Sequence, residues 1–258
     1  MNAGLETRTF DTDDGQATRA AIGVVVLQTD ETIEHDLREM VPSDGVRTYV
    51  NRISSEPDVT EETLRTMEAA LPAAAGQFPE AVSFDVLGYG CTSASLVIGE
   101  DRVSSLLTES HPGVPATNPF TALKAACQAL GIRRLSVVSP YVHELSRALR
   151  DGLEEFGVGV PKIVSFGVRE ERVVARISPE SILRALEAAG SEPESDAVFA
   201  SCTNLRAAGV IGRAEERLSK PVLSSNQVLT WHMLRLAGLN DAVPGFGRLF
   251  QCGRGIAA

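Results

Sequence analysis

Two cysteines stand in matched surroundings. Cys91-Thr92-Ser93 and Cys202-Thr203-Asn204 each close an apolar run that opens six residues earlier with an aspartate, Asp85 or Asp196. A free thiol titrates near pKa 8.5, and a helix N-terminus or nearby hydroxyls can stabilise the thiolate. Facing each other across one substrate, such a pair has two chemistries open to it. One thiolate can take a proton from carbon while the other thiol donates one from the opposite face, a stereoinverting transfer without a cofactor. Alternatively, one thiolate can add to a double bond and the other protonate the adduct, which reverts after rotation. Thr92, Ser93, Thr203 and Asn204 bring hydroxyl, amide and helix-start N–H groups suited to holding a carboxylate. Cys127, inside an apolar helical stretch, and Cys252, in the tail, read instead as small hydrophobes.

Positioning these thiols falls to an alternation of short β-branched runs and longer helical stretches. Strands are expected at 21–27, 82–89, 134–139, 162–166, 196–201 and 221–225, with a shorter candidate at 46–50. Helices are expected at 31–41, 60–75, 120–130, 141–156, 179–189, 205–218 and 228–236. The clearest start is Ser178 as N-cap with Pro179 in the first helical position. Continuous apolar strands followed by helices imply parallel sheets, α/β in class, buried on both faces. The pattern also repeats. Ile22 to Val26 matches Leu135 to Ser139 at an offset of 113 residues, the cysteines match at 111, and Thr117-Asn118 matches Ser225-Asn226 at 108. A duplicated unit follows, with one lobe at 21–118 plus 226–258, a second at 119–225, and a polar tail at 1–20. Both Cys-Thr pairs then fall at the carboxyl ends of strands, where open parallel sheets collect ligands.

Composition narrows the partners. The net charge of −10 and the lack of any dense Lys/Arg run exclude a phosphate-backbone partner, so no nucleic acid is expected. No apolar run reaches the roughly 20 residues of a membrane helix, and the first 20 residues lack the pattern of a signal peptide. Four scattered cysteines fit neither a disulfide framework nor a zinc knuckle, which points to a reducing, cytoplasmic setting. The four histidines show no ligand spacing, so no metal is expected. Gly245 and Gly247 follow Pro244 rather than a strand and read as a turn.

Together, Gly88-Tyr89-Gly90-Cys91-Thr92-Ser93-Ala94-Ser95, Ser139-Pro140-Tyr141, Ser201-Cys202-Thr203-Asn204 and Pro244-Gly245-Phe246-Gly247-Arg248-Leu249-Phe250 resemble the Asp/Glu racemase superfamily. The nearest branch is that of maleate isomerases, arylmalonate decarboxylases and ectoine-utilisation racemase-like proteins. The resemblance spans about 21–251 and implies two Rossmann-like lobes related by a pseudo-twofold, with the active site between them, no metal and no pyridoxal phosphate. It makes Cys91 and Cys202 the catalytic pair, puts Tyr141 against the substrate, and implies a homodimer or homotetramer. Decarboxylases lack the first cysteine, so Cys91 weighs against that assignment. Two departures separate this chain from maleate isomerases, which carry Pro-Ser-Ser-Asn where it has Leu27-Gln28-Thr29-Asp30 and an apolar stretch where it has Thr92-Ser93-Ala94-Ser95; both favour an amino-acid substrate. With Gln28 and Asp30 among the substrate contacts, a carboxylate at 30 would repel maleate and suit an ammonium group, although Asp30 equally suits a helix N-cap. The resulting expectation is a cofactor-independent racemase or epimerase of a small acidic amino acid, aspartate or hydroxyaspartate in type. A maleate-type cis–trans isomerase is the first alternative. A decarboxylase or a non-catalytic carboxylate-binding protein comes after it.

Overall fold

The computed structural model describes residues 6–13 and 15–253. Its frame is two four-stranded parallel sheets of the same strand order. The first contains β1 (Ala20–Leu27), β2 (Val46–Ile53), β3 (Val86–Gly90) and β4 (Ala116–Thr117), ordered β2-β1-β3-β4. The second contains β5 (Leu135–Tyr141), β6 (Ile163–Val168), β7 (Ala197–Ala200) and β8 (Val222–Ser224), ordered β6-β5-β7-β8. Ladder register carries the duplication down to single residues. Ile22 of β1 pairs with Val86 of β3, and Leu135 of β5 pairs with Ala197 of β7, so the two partners sit 113 and 111 residues apart, as the sequence offsets require.

The third offset needs correction. Asn118 caps the helix after β4, but the residue capping the helix after β8 is Ser224 rather than Asn226. Both caps accept from backbone N–H groups two or three residues on, and that shared function aligns them better than the shared asparagine.

Strand β1 shows why continuous apolar runs mark this fold. Ile22, Val24 and Val26 enter one core cluster while Ala21, Val25 and Leu27 enter another, so both faces are dry. Each large side chain so placed is worth at most about 1.5–3 kcal/mol of burial. The helices that matter for the site are α1 (Ile33–Met40), α2 (Glu61–Thr66), α3 (Leu71–Ala75), α4 (Thr92–Ile98), α5 (Glu100–Thr108), α6 (Pro119–Leu130), α7 (His143–Glu155), α8 (Glu171–Val174), α9 (Pro179–Gly190), α10 (Ile211–Leu218) and α11 (Ser225–Leu236). The stretch expected as one helix over 60–75 is split by a 3-10 turn at Met67–Ala70, because Pro72 cannot donate within a continuous helix and instead opens α3. Helices α4 and α5 are not among the expected helical stretches, although a helix start is expected at Thr92.

The last long helix, α11, is buried from Ser225 to Arg235 and lies against β3, β4, α1 and α6. Its seat depends on Gly88, where a Cβ would fall 2.5 Å from Met233 Sδ. Its buried Arg235 donates to the carbonyls of Leu239, Asp241 and Cys252 and stacks over Trp231, so the charge is not stranded. Among the described residues, no helix is long and apolar enough to cross a membrane.

Candidate active site

Strand β3 ends at Gly90, and Cys91 is the N-cap of α4, with its Sγ accepting from Ala94 N at 3.4 Å. Strand β7 ends at Ala200, and Cys202 follows in a different local structure. Its φ is +138, a region that side-chain-bearing residues rarely enter, and no helix starts there. The helix expected from 205 is replaced by turns, a 3-10 turn at Ala208–Val210 and then α10. Three hydrogen bonds hold the strained residue: Ser201 N to Val138 O at 2.8 Å, Cys202 N to Ser225 Oγ at 2.9 Å, and Asn204 N to Cys202 Sγ at 3.3 Å. Strain of this kind, of order 1–3 kcal/mol, persists only where surrounding structure over-determines it.

Both thiols line one cavity with Thr29, Asp30, Thr92, Ser93, Tyr141, Glu171 and Thr203, against an apolar wall of Leu27, Val59, Leu64 and Met67. The enclosed space is about 10 Å³, at the limit of holding one water, so a substrate can enter only if the cover moves. That cover is a strap where Val59 N donates to Arg169 O at 3.1 Å and Glu171 N donates to Pro57 O at 3.0 Å, tying the first lobe to the second. A much wider surface cleft of about 960 Å³, beside Leu96, Phe120, Leu145 and Phe156, contains neither thiol.

The sequence-expected residues divide into three groups. Cys91, Cys202, Asp30, Thr92, Ser93, Tyr141 and Thr203 converge on the cavity. Gln28 does not: its side chain is exposed, and its backbone N–H is spent on Ile53 O at 2.8 Å, because β1 runs on into that loop in register with β2. Asn204 is buried beside the cavity without lining it. Its Nδ2 donates to Glu171 Oε2 at 2.8 Å and its Oδ1 accepts from Glu31 N at 2.9 Å, so it braces the two lobes rather than meeting a substrate.

Thr32, not Asp30, is the N-cap residue of α1, and the two oxygens of Asp30 have different surroundings. Oδ1 accepts from Thr32 N and Ile33 N, both at 2.8 Å, and so caps the entry to α1. Oδ2 is buried and accepts no well-formed hydrogen bond: the neighbouring Thr203 hydroxyl, near enough to favour the carboxylate, donates to Gly90 O at 3.2 Å. Burial raises the Asp30 carboxyl above its ordinary range, against the lowering effect of those N–H groups.

Three residues escaped sequence reading. Glu171 opens α8, and its carboxylate accepts from Tyr141 Oη at 2.5 Å while burial raises its pKa. Ser225 Oγ pairs with Thr92 Oγ1 at 2.8 Å as well as accepting from Cys202 N, which links the two cysteine loops through one hydroxyl. Asn226 Nδ2 donates to Thr203 O and Asp36 Oδ2, both at 2.7 Å. Only the last two carried a signal, their place in the Ser225-Asn226 pair.

Burial outweighs the easing effect of the N–H groups of Ala94 and Asn204, pushing Cys91 up to about 12 and Cys202 well above its ordinary value. Glu171 and Asp30 push both in the same direction. The lining holds no Lys or Arg, and Glu56 and Asp58 add acidic groups at the exposed mouth. Arg52, close behind, spends its guanidinium on the carbonyls of Leu27 and Asp30 and on Glu34.

The fold is a duplicated parallel α/β unit with a thiol just after the third strand of each copy, and the two thiols meet at one cavity. The family model described as arylmalonate decarboxylase matches residues 59–250, and the chain belongs to that family, within the Asp/Glu racemase-like superfamily. The arylmalonate decarboxylase of Bordetella bronchiseptica is 29% identical over 92% of this chain and 98% of its own length. The maleate isomerase of Alcaligenes faecalis is 23% identical over 89% and 96% respectively. Among solved structures, a cysteine-to-serine mutant of Nocardia farcinica maleate cis-trans isomerase, carrying a covalently bound succinylcysteine intermediate, superposes with a TM-score of 0.83. It is 25% identical, over 90% of this chain and 98% of that one. An enzyme of the isomerase kind accords with these relatives.

Proposed function

We propose that this protein is a cofactor-independent isomerase of a small carboxylic acid, working through Cys91 and Cys202 by the addition and elimination route of maleate-type cis–trans isomerisation. The observation that carries it is the convergence of two buried thiols, from equivalent strands, on one closed cavity. Support comes from the maleate isomerase relatives and from the sulfur-bound intermediate of the Nocardia farcinica enzyme. In the first step one thiolate forms a C–S bond to an alkene carbon while the other thiol protonates its neighbour. The C–C bond, now single, rotates. Return of the same proton to the second sulfur and departure of the first as thiolate restore the double bond, the thiol and the thiolate. The presence of Cys91 weighs against decarboxylation, which the resemblance associates with the second cysteine alone.

A second reading, racemisation or epimerisation of an amino acid, is favoured by one observation: Asp30 and Glu171 line the cavity with no Lys or Arg opposite them. An ammonium group would pair with that lining; two substrate carboxylates would not. One experiment separates the readings. Maleate and acidic amino acids are supplied in heavy water to the wild type and to Cys91→Ser and Cys202→Ser. Fumarate formation that both substitutions abolish supports the first reading. Deuterium at the α-carbon of an amino acid, with maleate untouched, moves the assignment to the second. Neither reaction with any of these substrates would overturn both.

A further inference from the structure

The strained turn after β7 is held from both sides by the first turn of α11. Ser225 Oγ accepts from Cys202 N at 2.9 Å, and Asn226 Nδ2 donates to Thr203 O at 2.7 Å. The second bond reaches a sulfur. Thr203 O and Asn204 N belong to a single planar peptide unit, and Asn204 N donates to Cys202 Sγ at 3.3 Å. Asn226 grips the oxygen end of that plane and thereby aims its N–H end. We infer that Asn226, oriented by Asp36, is a positioning residue for the Cys202 sulfur in the proposed reaction, although it does not itself line the cavity.

The amide has one way to face. Nδ2 has two acceptors, Thr203 O and Asp36 Oδ2, each at 2.7 Å, while Oδ1 is buried without a hydrogen-bond partner. A carboxylate can only accept, so Asp36 holds the NH2 side toward both, and turning the amide over would set its oxygen against two acceptors. An unmet buried oxygen is a cost, and it is borne at the foot of the turn whose backbone is itself strained at Cys202.

What reaches the sulfur is direction as well as charge stabilisation. An N–H donated to sulfur favours the thiolate over the thiol and occupies one side of the atom, which limits where an S–H can point. Whether Cys202 gives or takes the proton, its sulfur must face the reacting carbon, and the tilt of the Thr203-Asn204 peptide sets that facing. Cys91 is held differently. Its sulfur accepts from Ala94 N within the first turn of α4, a bond in which neither Asn226 nor Asp36 takes part. Glu171 and Asp30 act on both sulfurs in the same direction, so their effects drop out of a comparison between the two thiols.

The inference rests on the proposed role of Cys202, but its first readout needs no substrate, so it can fail while that role stands. The full-length protein is alkylated with iodoacetamide at a fixed alkaline pH. Peptide mass spectrometry scores Cys202 against Cys91, which shares its cavity, and buried Cys127 reports any unfolding. Asn226→Ala should slow Cys202 relative to Cys91 by about threefold: a pKa raised by one unit removes about tenfold of the thiolate, and the more basic sulfur regains about threefold in reactivity. The decisive variant is the exchange of Asp36→Asn together with Asn226→Asp. It rebuilds the hydrogen bond between positions 36 and 226 in reverse, so the urea midpoint should return toward wild type, but it leaves a carboxylate facing Thr203 O. A positioning role keeps Cys202 slow in the exchanged protein and, with maleate as substrate, lowers kcat while KM changes little. A merely structural tie between α1 and α11 predicts that the exchange restores Cys202 alkylation along with stability. That restoration, or an unchanged or faster Cys202 in Asn226→Ala, would overturn the inference. If the alanine variant does not fold, the exchange carries the test alone. Failure of the wild type to turn over maleate counts against the proposed reaction and leaves the alkylation comparison to decide this one.

Discussion

Asp30→Asn is the substitution that most sharply interrogates the cavity. The side chain caps the entry to α1 through Oδ1, keeps Oδ2 buried without a well-formed hydrogen bond, and lines the cavity that holds both thiols. Asparagine keeps the capping oxygen and replaces Oδ2 with an NH2 donor, so the local fold should survive the change. Stability should hold or rise, because an unsatisfied buried polar oxygen costs about 1–3 kcal/mol. The larger effect is on ligands. A substrate carboxylate about 4 Å from an ionised Asp30 would meet a repulsion of about 4 kcal/mol at an effective dielectric of 20, a factor of about 10³ in binding. Asp30→Asn should therefore tighten a dicarboxylate such as maleate by up to that factor at alkaline pH. Because burial raises the Asp30 pKa, the wild type carries this charge only above a raised value, so its handicap should shrink as pH falls while the variant stays level. Calorimetric titration with maleate and with aspartate, repeated over pH, measures both. For a ligand held by its ammonium group, the sign reverses and the variant binds more weakly. Maleate binding that is unchanged or weakened in Asp30→Asn, at every pH, would refute the electrostatic reasoning.

Three further outcomes follow from single environments. Asp36 is buried, and desolvation raises its carboxyl to about 6. A raised acid favours the protonated fold, so its stability is fully present below the unfolded pKa and is lost as pH rises through about 6. Asp36→Asn should flatten that slope and stabilise the protein above it by on the order of 3 kcal/mol, read from urea unfolding at several pH values. Asn204→Ala strips the brace from Glu171 Oε2 and Glu31 N and should cost about 2–4 kcal/mol, seen as a lower urea midpoint with unchanged slope. Gly247 has a φ of +80, and a Cβ there would meet Ile211 at 2.7 Å and Glu215 at 2.9 Å, so Gly247→Ala should lower the thermal midpoint through strain of about 1–3 kcal/mol.

The sheets were legible because strands buried on both faces cannot hide their composition. Ile22-Gly23-Val24-Val25-Val26 admits few readings, and its match to Leu135-Ser136-Val137-Val138-Ser139 reappears as ladder register. Helix α4 was not legible, because Thr92-Ser93-Ala94-Ser95 has weak intrinsic helix preference and owes its form to packing against α2, α5, α6 and α7. The turn after Cys202 was missed for a related reason. Leu205-Arg206-Ala207-Ala208 looks helical locally, but the strained cysteine and its bonds to Ser225 and Asn204 set the chain's exit direction. Glu171 is the instructive loss. It sits in Arg169-Glu170-Glu171-Arg172, a run that reads as solvated surface, and nothing local separates it from Glu170. Only the strap to Pro57 turns one glutamate inward and leaves its neighbour paired with Arg172 near the surface.

That inward turn changes what the cysteines can be. Cys91, Cys202, Asp30 and Glu171 share a closed cavity, and charge on either carboxyl raises the pKa of both thiols. Charge on Asp30 raises Glu171 as well. Ionisation in this group is therefore mutually opposed: each proton lost makes the next harder to lose. By the same logic a dicarboxylate can settle between the thiols only as protons settle on Asp30 and Glu171, turning both from repelling acceptors into donors. An ammonium-bearing acid needs no such uptake. If the paired cysteines act on a small acid as proposed, the protonation of Asp30 and Glu171 bears on the choice between the two chemistries as directly as the sulfurs themselves.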